Sequence, residues 1–452
     1  MFRTLAPILV AVTLGACSKR PDPPPAAAQP PARAAAPTPA APPAAPADLS
    51  DPDDAYFVSD NKSLWRVHAG KVTPVSFSAP CSRIRGIYQP KANAAWIDCD
   101  YDGFFVLFGS RALAAPRPVS TASSTLVLGG DGSLWSAPYK ATSLYRLEGA
   151  TWKAEALPDE LRGAEHLSFT VDAKGRVYLA DTNNGWLREG GAWRPMPLPA
   201  DKLRRFPPHF VATEDGTVFM MVGYRWTEFT DGKVGRRSYH NYEDPVPRVG
   251  GGVVIGNEQR VSVIAADGKV ERSVSFARGA VGRRASGEGQ SVAVDGRGRI
   301  WVATQYGLVV IDERDAVEQW EPGRIEGFDG TDVTLVVVGG KGPELPALGP
   351  RVRGEVVGRV VGVKPGATLE MCTGSTGFST GIGPGTFYGR TPCDRNPFRF
   401  RAKLDAEGRF RFTGVPPLPM SAVVQLSSRD WTRRKAGCCS RLRPGTPLEL
   451  EL

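Results

Sequence analysis

A unit of about 40 residues recurs along this chain, and the recurrence constrains the fold more than any other feature. Residues 294–312, "VDGRGRIWVATQYGLVVID", show it most clearly: an acidic residue, a glycine turn, an alternating strand carrying an aromatic, then a second strand. "GGDGSLWSAP" (129–138), "VDAKGRVYLAD" (171–181) and "TEDGTVFMMV" (213–222) repeat the pattern. Weaker copies begin at residues 59, 100 and 256. With Trp65, Phe105, Trp135, Tyr178, Phe219, Val263 and Trp301 as markers, the intervals are 40, 30, 43, 41, 44 and 38 residues. Such a period, with about four short strands per unit, predicts an all-β fold dominated by a β-propeller. A two-sheet sandwich would not repeat an Asp-Gly-strand unit at this interval.

The unit looks structural rather than catalytic. Gly296 and Gly298 are spaced like the start of a phosphate loop, but no later glycine completes the fingerprint and a strand follows where a helix is required. The aspartate can accept amide hydrogen bonds within a tight turn, glycine supplies positive φ, and the aromatic fills the space between blades. The element resembles that of two-component-regulator-type propellers. The match is close at residues 295–312, with Asp131, Asp172 and Asp215 opening the other good copies. That resemblance covers about residues 52–340, and the domain is placed at 51–342. About seven blades are expected, six or eight remaining open.

Before the repeat lie two segments that belong to no packed domain. "MFRTLAPILVAVTLGAC" has one basic residue, Arg3, and an apolar run too short to span a bilayer. Residues 14–17, "LGAC", resemble the lipobox of bacterial lipoproteins, which implies cleavage of a 1–16 signal peptide and acylation of Cys17. Ser18 rather than aspartate follows, and by the enterobacterial pattern this implies the outer membrane of the cell envelope. Residues 17–50 then form a tether, nearly all Pro and Ala from Pro21 to Ser50, able to extend about 3.1 Å per residue.

Past residue 350 the character changes. Residues 351–452 carry 17 Lys and Arg against 8 Asp and Glu, a net charge of +9, whereas residues 51–350 are close to neutral. Gly354-x-Val356 and the run Asp405-x-x-Gly408-x-Phe410-x-Phe412-x-Gly414-Val415-Pro416 resemble the carboxypeptidase regulatory-like domain, which implies a small transthyretin-like β-sandwich and no peptidase activity. "PLPMSAVV" departs from that pattern. The arginine-rich surface suits an anionic surface or acidic partner outside the cell membrane; nucleic acid is not expected there.

Once Cys17 is acylated six cysteines remain, an even number that reads as disulfides in an exported protein. Cys81 is expected to pair with Cys99. For Cys372, Cys393, Cys438 and Cys439, an adjacent Cys438–Cys439 bond looks unfavourable, so each of those two is expected to pair with Cys372 or Cys393. Zinc is not expected, because the group has no C-x-x-C and no histidine nearby.

The sequence contains no zinc-protease helix and no phosphate loop, and no catalytic residue, cofactor or metal is assigned. His68, His166 and His209 read as ordinary strand or loop residues. Weak binding candidates are Trp186, Tyr224 and Trp226, read as exposed loop aromatics, and His240 in "SYHNYED". The expectation is a non-enzymatic, lipid-anchored binding or scaffold protein presenting a propeller to a protein or glycan. The alternatives are a propeller hydrolase or lyase with an axial site, and a structural envelope component.

Overall fold

Short alternating strands joined by tight turns build antiparallel sheets one after another, and in this chain they close into a ring. The computed structural model describes residues 51–89, 95–118, 124–165, 167–198, 208–222, 225–230, 233–240, 245–248, 251–257, 260–275, 292–304, 307–328, 333–373, 393, 398–426, 431–439, 442 and 445–452. The lipobox, Cys17 and the tether lie outside them. Among the described residues, helix is confined to two 3₁₀ turns, Asp100–Asp102 and Asp159–Leu161.

Seven sheets make the propeller among these residues. Blade 1 is closed by the last propeller strand, Val333–Val338, which pairs antiparallel with Ala55–Ser59 and joins Ser63–His68 and Lys71–Pro74. Blade 2 runs outward through Gly86–Tyr88, Trp96–Asp98, Phe104–Phe108 and Arg111–Ala115, with Ser76–Phe77 added in parallel at the rim. Blade 3 begins at Ser124–Leu128, blade 4 at Ser168–Val171, blade 5 at Phe210–Ala212, blade 6 at Val246–Pro247 and blade 7 at Val292–Val294; each adds three strands outward. Adjoining strands follow from blade to blade around to Val333–Val338, so the ring is complete.

The aromatics act between blades. Trp301 and Trp320 of blade 7 share one core with Phe57 and Trp65 of blade 1, and Phe328 packs edge-on against both Phe57 and Trp65. Fully burying such a ring contributes roughly 2–3 kcal/mol. The sequence markers were not all equivalent, however. Trp135, Tyr178, Phe219 and Trp301 lie on second strands, whereas Trp65, Phe105 and Val263 lie on third strands. The uneven intervals follow from that mixture.

The chain leaves the propeller through a segment that packs along it. Arg299 Nη2 donates to Pro343 O at 2.8 Å, Leu345 and Leu348 pack on the core of blades 7 and 1, and Gly349 N donates to Arg324 O at 2.7 Å. Arg353 then holds Glu321, 1 % exposed, with contacts of 2.7 and 3.3 Å. The expected sandwich follows. One sheet orders Arg409–Val415, Gly354–Arg359 and Leu448–Glu451; the other orders Arg399–Lys403, Thr368–Thr373, Met420–Gln425 and Trp431–Cys438. Val356, Phe410 and Phe412 from the first meet Leu369, Met371 and Val424 from the second.

Cys81 pairs with Cys99 as expected. The C-terminal pairing does not follow expectation: Cys372 bonds Cys393, and Cys438 bonds its neighbour Cys439. The two-residue period of the sheet explains why. Cys372 follows Met371, so their side chains point to opposite faces. Cys372 clusters with Cys393, Val423 and Trp431 on the outer face, whereas Cys438 and Cys439 sit in the sandwich core, where Cys438 Sγ is 3.7 Å from Met371 Sδ. Cys372 and Cys438 therefore stand on opposite sides of one sheet and cannot meet.

Candidate functional site

One end of the ring is built by aspartates. Asp295 Oδ1 accepts the amides of Arg297 and Arg299, both at 3.0 Å, while Oδ2 accepts Arg299 Nε at 2.6 Å and Trp301 Nε1 at 3.0 Å. Asp172 repeats the scheme with Lys174, Arg176 and the Arg176 guanidinium. Asp131 accepts the Ser133 amide and hydroxyl, and Ser133 Oγ in turn accepts Trp135 Nε1 at 2.7 Å. Burial pushes the Asp215 carboxyl up, but hydrogen bonds from the Thr213 hydroxyl and the Thr217 and Gly252 amides outweigh it and hold the group below its usual range.

These turns join the innermost strand of a blade to the second, so they share one face. They also touch each other. Gly130 N donates to Val171 O of blade 4 at 2.7 Å, and a Cβ on Gly130 would lie 2.6 Å from Thr213 O of blade 5. Turns of blades 3, 4 and 5 thus converge. Gly296 N reaches Gly340 O at 2.8 Å, and Lys341 N reaches Asp53 Oδ1 at 2.8 Å. Backbone packed this tightly leaves a ligand little room at this end of the axis.

The opposite face carries the turns from second to third strands. Here stand Tyr101 of blade 2, 69 % exposed, and Tyr139 of blade 3, 45 % exposed; among the described residues they are the exposed aromatics. Seven-fold spacing, with strands about 4.8 Å apart within a blade, sets neighbouring turns of this kind roughly 10–15 Å apart. The Tyr101 turn is rigid. Cys81–Cys99 ties it to the connection from blade 1, Asp98 Oδ1 accepts the Asp100 amide, and Arg117 Nη2 donates to Tyr101 O at 2.6 Å. The Ser82 hydroxyl and amide both donate to Asp102 at 2.6 Å and hold its carboxyl below the usual range, with the Arg117 charge adding to this. Lys140 lies 5.5 Å from the Tyr139 ring centroid and 3.1 Å from Glu165, which raises its pKa. Arg85 pairs with Asp100 and Arg162 with Asp159, so the charges around the two rings largely cancel.

The expected binding residues fall elsewhere. Trp226 is not a loop residue: it lies in Arg225–Thr230, 1 % exposed, packed with Phe219, Val253 and Ile264. Trp186 lies in the strand Gly185–Glu189, half-buried against the core of blades 3 and 4. Period-2 alternation turns both rings inward. Tyr224 lies outside the described residues, as does 241–244 of "SYHNYED". His240 ends the outermost strand of blade 5, opposite Arg225, so its backbone is at the rim rather than the axis. The "DYDG" that carries Tyr101 resembles an Asp-Gly turn of the repeat, but it joins second and third strands.

Asp51, Asp54 and His68 gather ligand atoms within 4.8 Å. Asp54, 1 % exposed, already accepts from His68 Nδ1 at 2.8 Å, Arg66 Nε at 2.7 Å, Tyr56 OH at 3.2 Å and the Asp51 amide at 3.2 Å. Both its oxygens thus help to hold blade 1 together. A groove of about 880 Å³ runs along the seam of propeller and sandwich, lined by Pro322, Ile325, Leu348, Val352, Pro417 and Leu442 among others. It brings no general acid and nucleophile together.

No family model and no curated relative matches the chain. Solved structures resemble it at the level of the fold. A streptogramin B lyase aligns over 59 % of this chain and 87 % of its own, at 14 % identity and a TM-score of 0.40. An extracellular domain assigned to a hybrid two-component system of B. thetaiotaomicron aligns over 83 % of this chain and 60 % of its own, at 11 % identity and 0.44. A protein from Lactobacillus plantarum aligns over 63 % and 98 %, at 12 % and 0.39. Similarity this remote transfers no ligand and no reaction. No helix among the described residues is long and apolar enough to cross a membrane.

Proposed function

We propose that this chain is a non-enzymatic recognition scaffold of the cell envelope, held in the outer membrane by acyl chains on Cys17 and extended from it by the Pro/Ala tether. The propeller presents the face of the second-to-third-strand turns to a protein or glycan, with Tyr101 and Tyr139 as its anchors. The observation that carries this reading is the pair of exposed aromatic rings on adjacent blades, on the face opposite the one where the turns converge. Rigid aromatic anchors lose little conformational entropy when they bind. The basic sandwich supplies a second contact, to an anionic surface.

The test immobilises the protein and passes solubilised envelope components over it, separately as glycan and protein fractions. Retention that falls at least about tenfold in Tyr101→Ala/Tyr139→Ala, the loss of about 1.4 kcal/mol, supports the reading. Equal retention by the variant, or turnover of a small substrate without retention, refutes it. Cys17→Ala releases the protein from membranes if the anchor is as stated.

A further inference from the structure

The sandwich core gathers sulfur. Cys438 and Cys439 are 5 % and 2 % exposed, and Cys438 Sγ stands 3.7 Å from Met371 Sδ. Met420, 2 % exposed, is the direct cross-strand partner of Cys438 and belongs to the same core. Two sulfurs bound to one ion at about 2.3 Å each, with a tetrahedral angle between them, sit about 3.8 Å apart. The Cys438–Met371 contact therefore needs little movement to become the spacing of two ligands on one soft metal.

We propose that opening the Cys438–Cys439 bond converts this cluster into a Cu(I) site, with the two thiolates and the Met371 thioether as ligands and Met420 beside them. Soft thiolate and thioether donors suit Cu(I) rather than the harder divalent ions that prefer oxygen ligands. The opening step is thiol–disulfide exchange with a dithiol reductant. The reductant becomes a disulfide, and two electrons and two protons pass to the sulfurs of Cys438 and Cys439. Cu(I) then displaces both thiol protons to solvent. A centre of two thiolates and one Cu(I) is an anion, and the same strand offers it a cation. Arg434 stands opposite Ala422, a core residue, and its Nε is buried without a hydrogen-bond partner.

The fold tolerates this opening. A bond between adjacent residues closes almost no loop, so it restricts the unfolded chain far less than the 18- and 21-residue links of Cys81–Cys99 and Cys372–Cys393. Cys439 holds φ +84°, a conformation that non-glycine residues adopt at a cost, and opening frees it to relax.

The experiment uses the full chain in detergent, reduced anaerobically with a phosphine that leaves no competing thiol, and titrated with Cu(I) against a chromophoric chelator. Cys438→Ser/Cys439→Ser retains the other disulfide-forming cysteines and sets the background. The expected result is one more tightly held Cu(I) in the reduced native protein than in that variant, and none extra in the oxidised protein. Met371→Leu, which keeps volume and removes the thioether, weakens binding at least about tenfold. Near-UV circular dichroism checks that each variant folds. Equal stoichiometry in the native protein and the double variant overturns the site, and unchanged affinity in Met371→Leu overturns its sulfur-cluster geometry.

Discussion

Replacing Asp295 by alanine removes one carboxylate and strands four donors at once: the Arg297 and Arg299 amides, the Arg299 guanidinium and the Trp301 indole. Asp295 is 3 % exposed and Arg299 4 %, so water cannot easily replace the lost partner. Breaking a buried ion pair by removing one member costs about 3–5 kcal/mol. An orphaned buried donor costs about 1–3 kcal/mol. These are not additive, and about 5 kcal/mol is a fair total. Asp312 is the control. It makes the same kind of turn, accepting the Arg314 and Ala316 amides at 2.8 Å, but faces solvent. Asp312→Ala should cost about 1 kcal/mol. At roughly 2 °C per kcal/mol for a domain of this size, calorimetry should show Tm falling by about 10 °C and about 2 °C respectively. Equal shifts would refute the argument, since burial and the shared guanidinium and indole are all that separate the two turns.

Backbone geometry makes a second pair. Gly307 has φ +120° and an added Cβ would lie 2.1 Å from Trp320 O, whereas Gly298, φ +84°, faces open space. Gly307→Ala should therefore destabilise by more than about 3 kcal/mol and Gly298→Ala by about 1 kcal/mol, measured by chemical denaturation. Loss of the Cys81–Cys99 link, by Cys81→Ser/Cys99→Ser, removes an 18-residue closure worth about 3 kcal/mol and should speed proteolysis near residues 78–103. The Asp215 carboxyl, held below its ordinary value of 3.8, contributes stability that is present above that value and lost as pH falls through the folded-state value. Asp215→Asn should flatten stability against pH below about 4, and an unchanged acid limb would count against its hydrogen bonds to Thr213, Thr217 and Gly252.

The architecture was legible where one residue type has one job. Asp, Gly and Trp in residues 295–301 announce a turn, a left-handed position and an interblade wedge, and each does that work in the fold. The second strands of blades 1 and 2 carry aromatics too, Phe57 and Trp96, without the Asp-Gly turn and spacing seen at residues 295–301, and that of blade 6 carries Val254. The markers Trp65, Phe105 and Val263 therefore fall one strand farther out than the others, and the intervals become uneven. Surface aromatics were harder to find. A tryptophan in a short strand and a tyrosine in a short turn look alike in composition, and only the face of the sheet on which they fall separates buried Trp226 from exposed Tyr101. The cysteine pairing failed for a related reason: whether two sulfurs share a face depends on register and on the bulge between Met420 and Ala422, which sequence spacing does not reveal.

The proposal turns on which face of the ring meets the partner. Hydrogen-exchange mass spectrometry of the full-length protein, with and without the retained envelope fraction, reads this directly. The account predicts protection at residues 99–103 and 139–142, abolished in Tyr101→Ala/Tyr139→Ala. Protection confined to the aspartate turns at 129–133, 171–176 and 213–217, with the tyrosine turns unchanged, would contradict it.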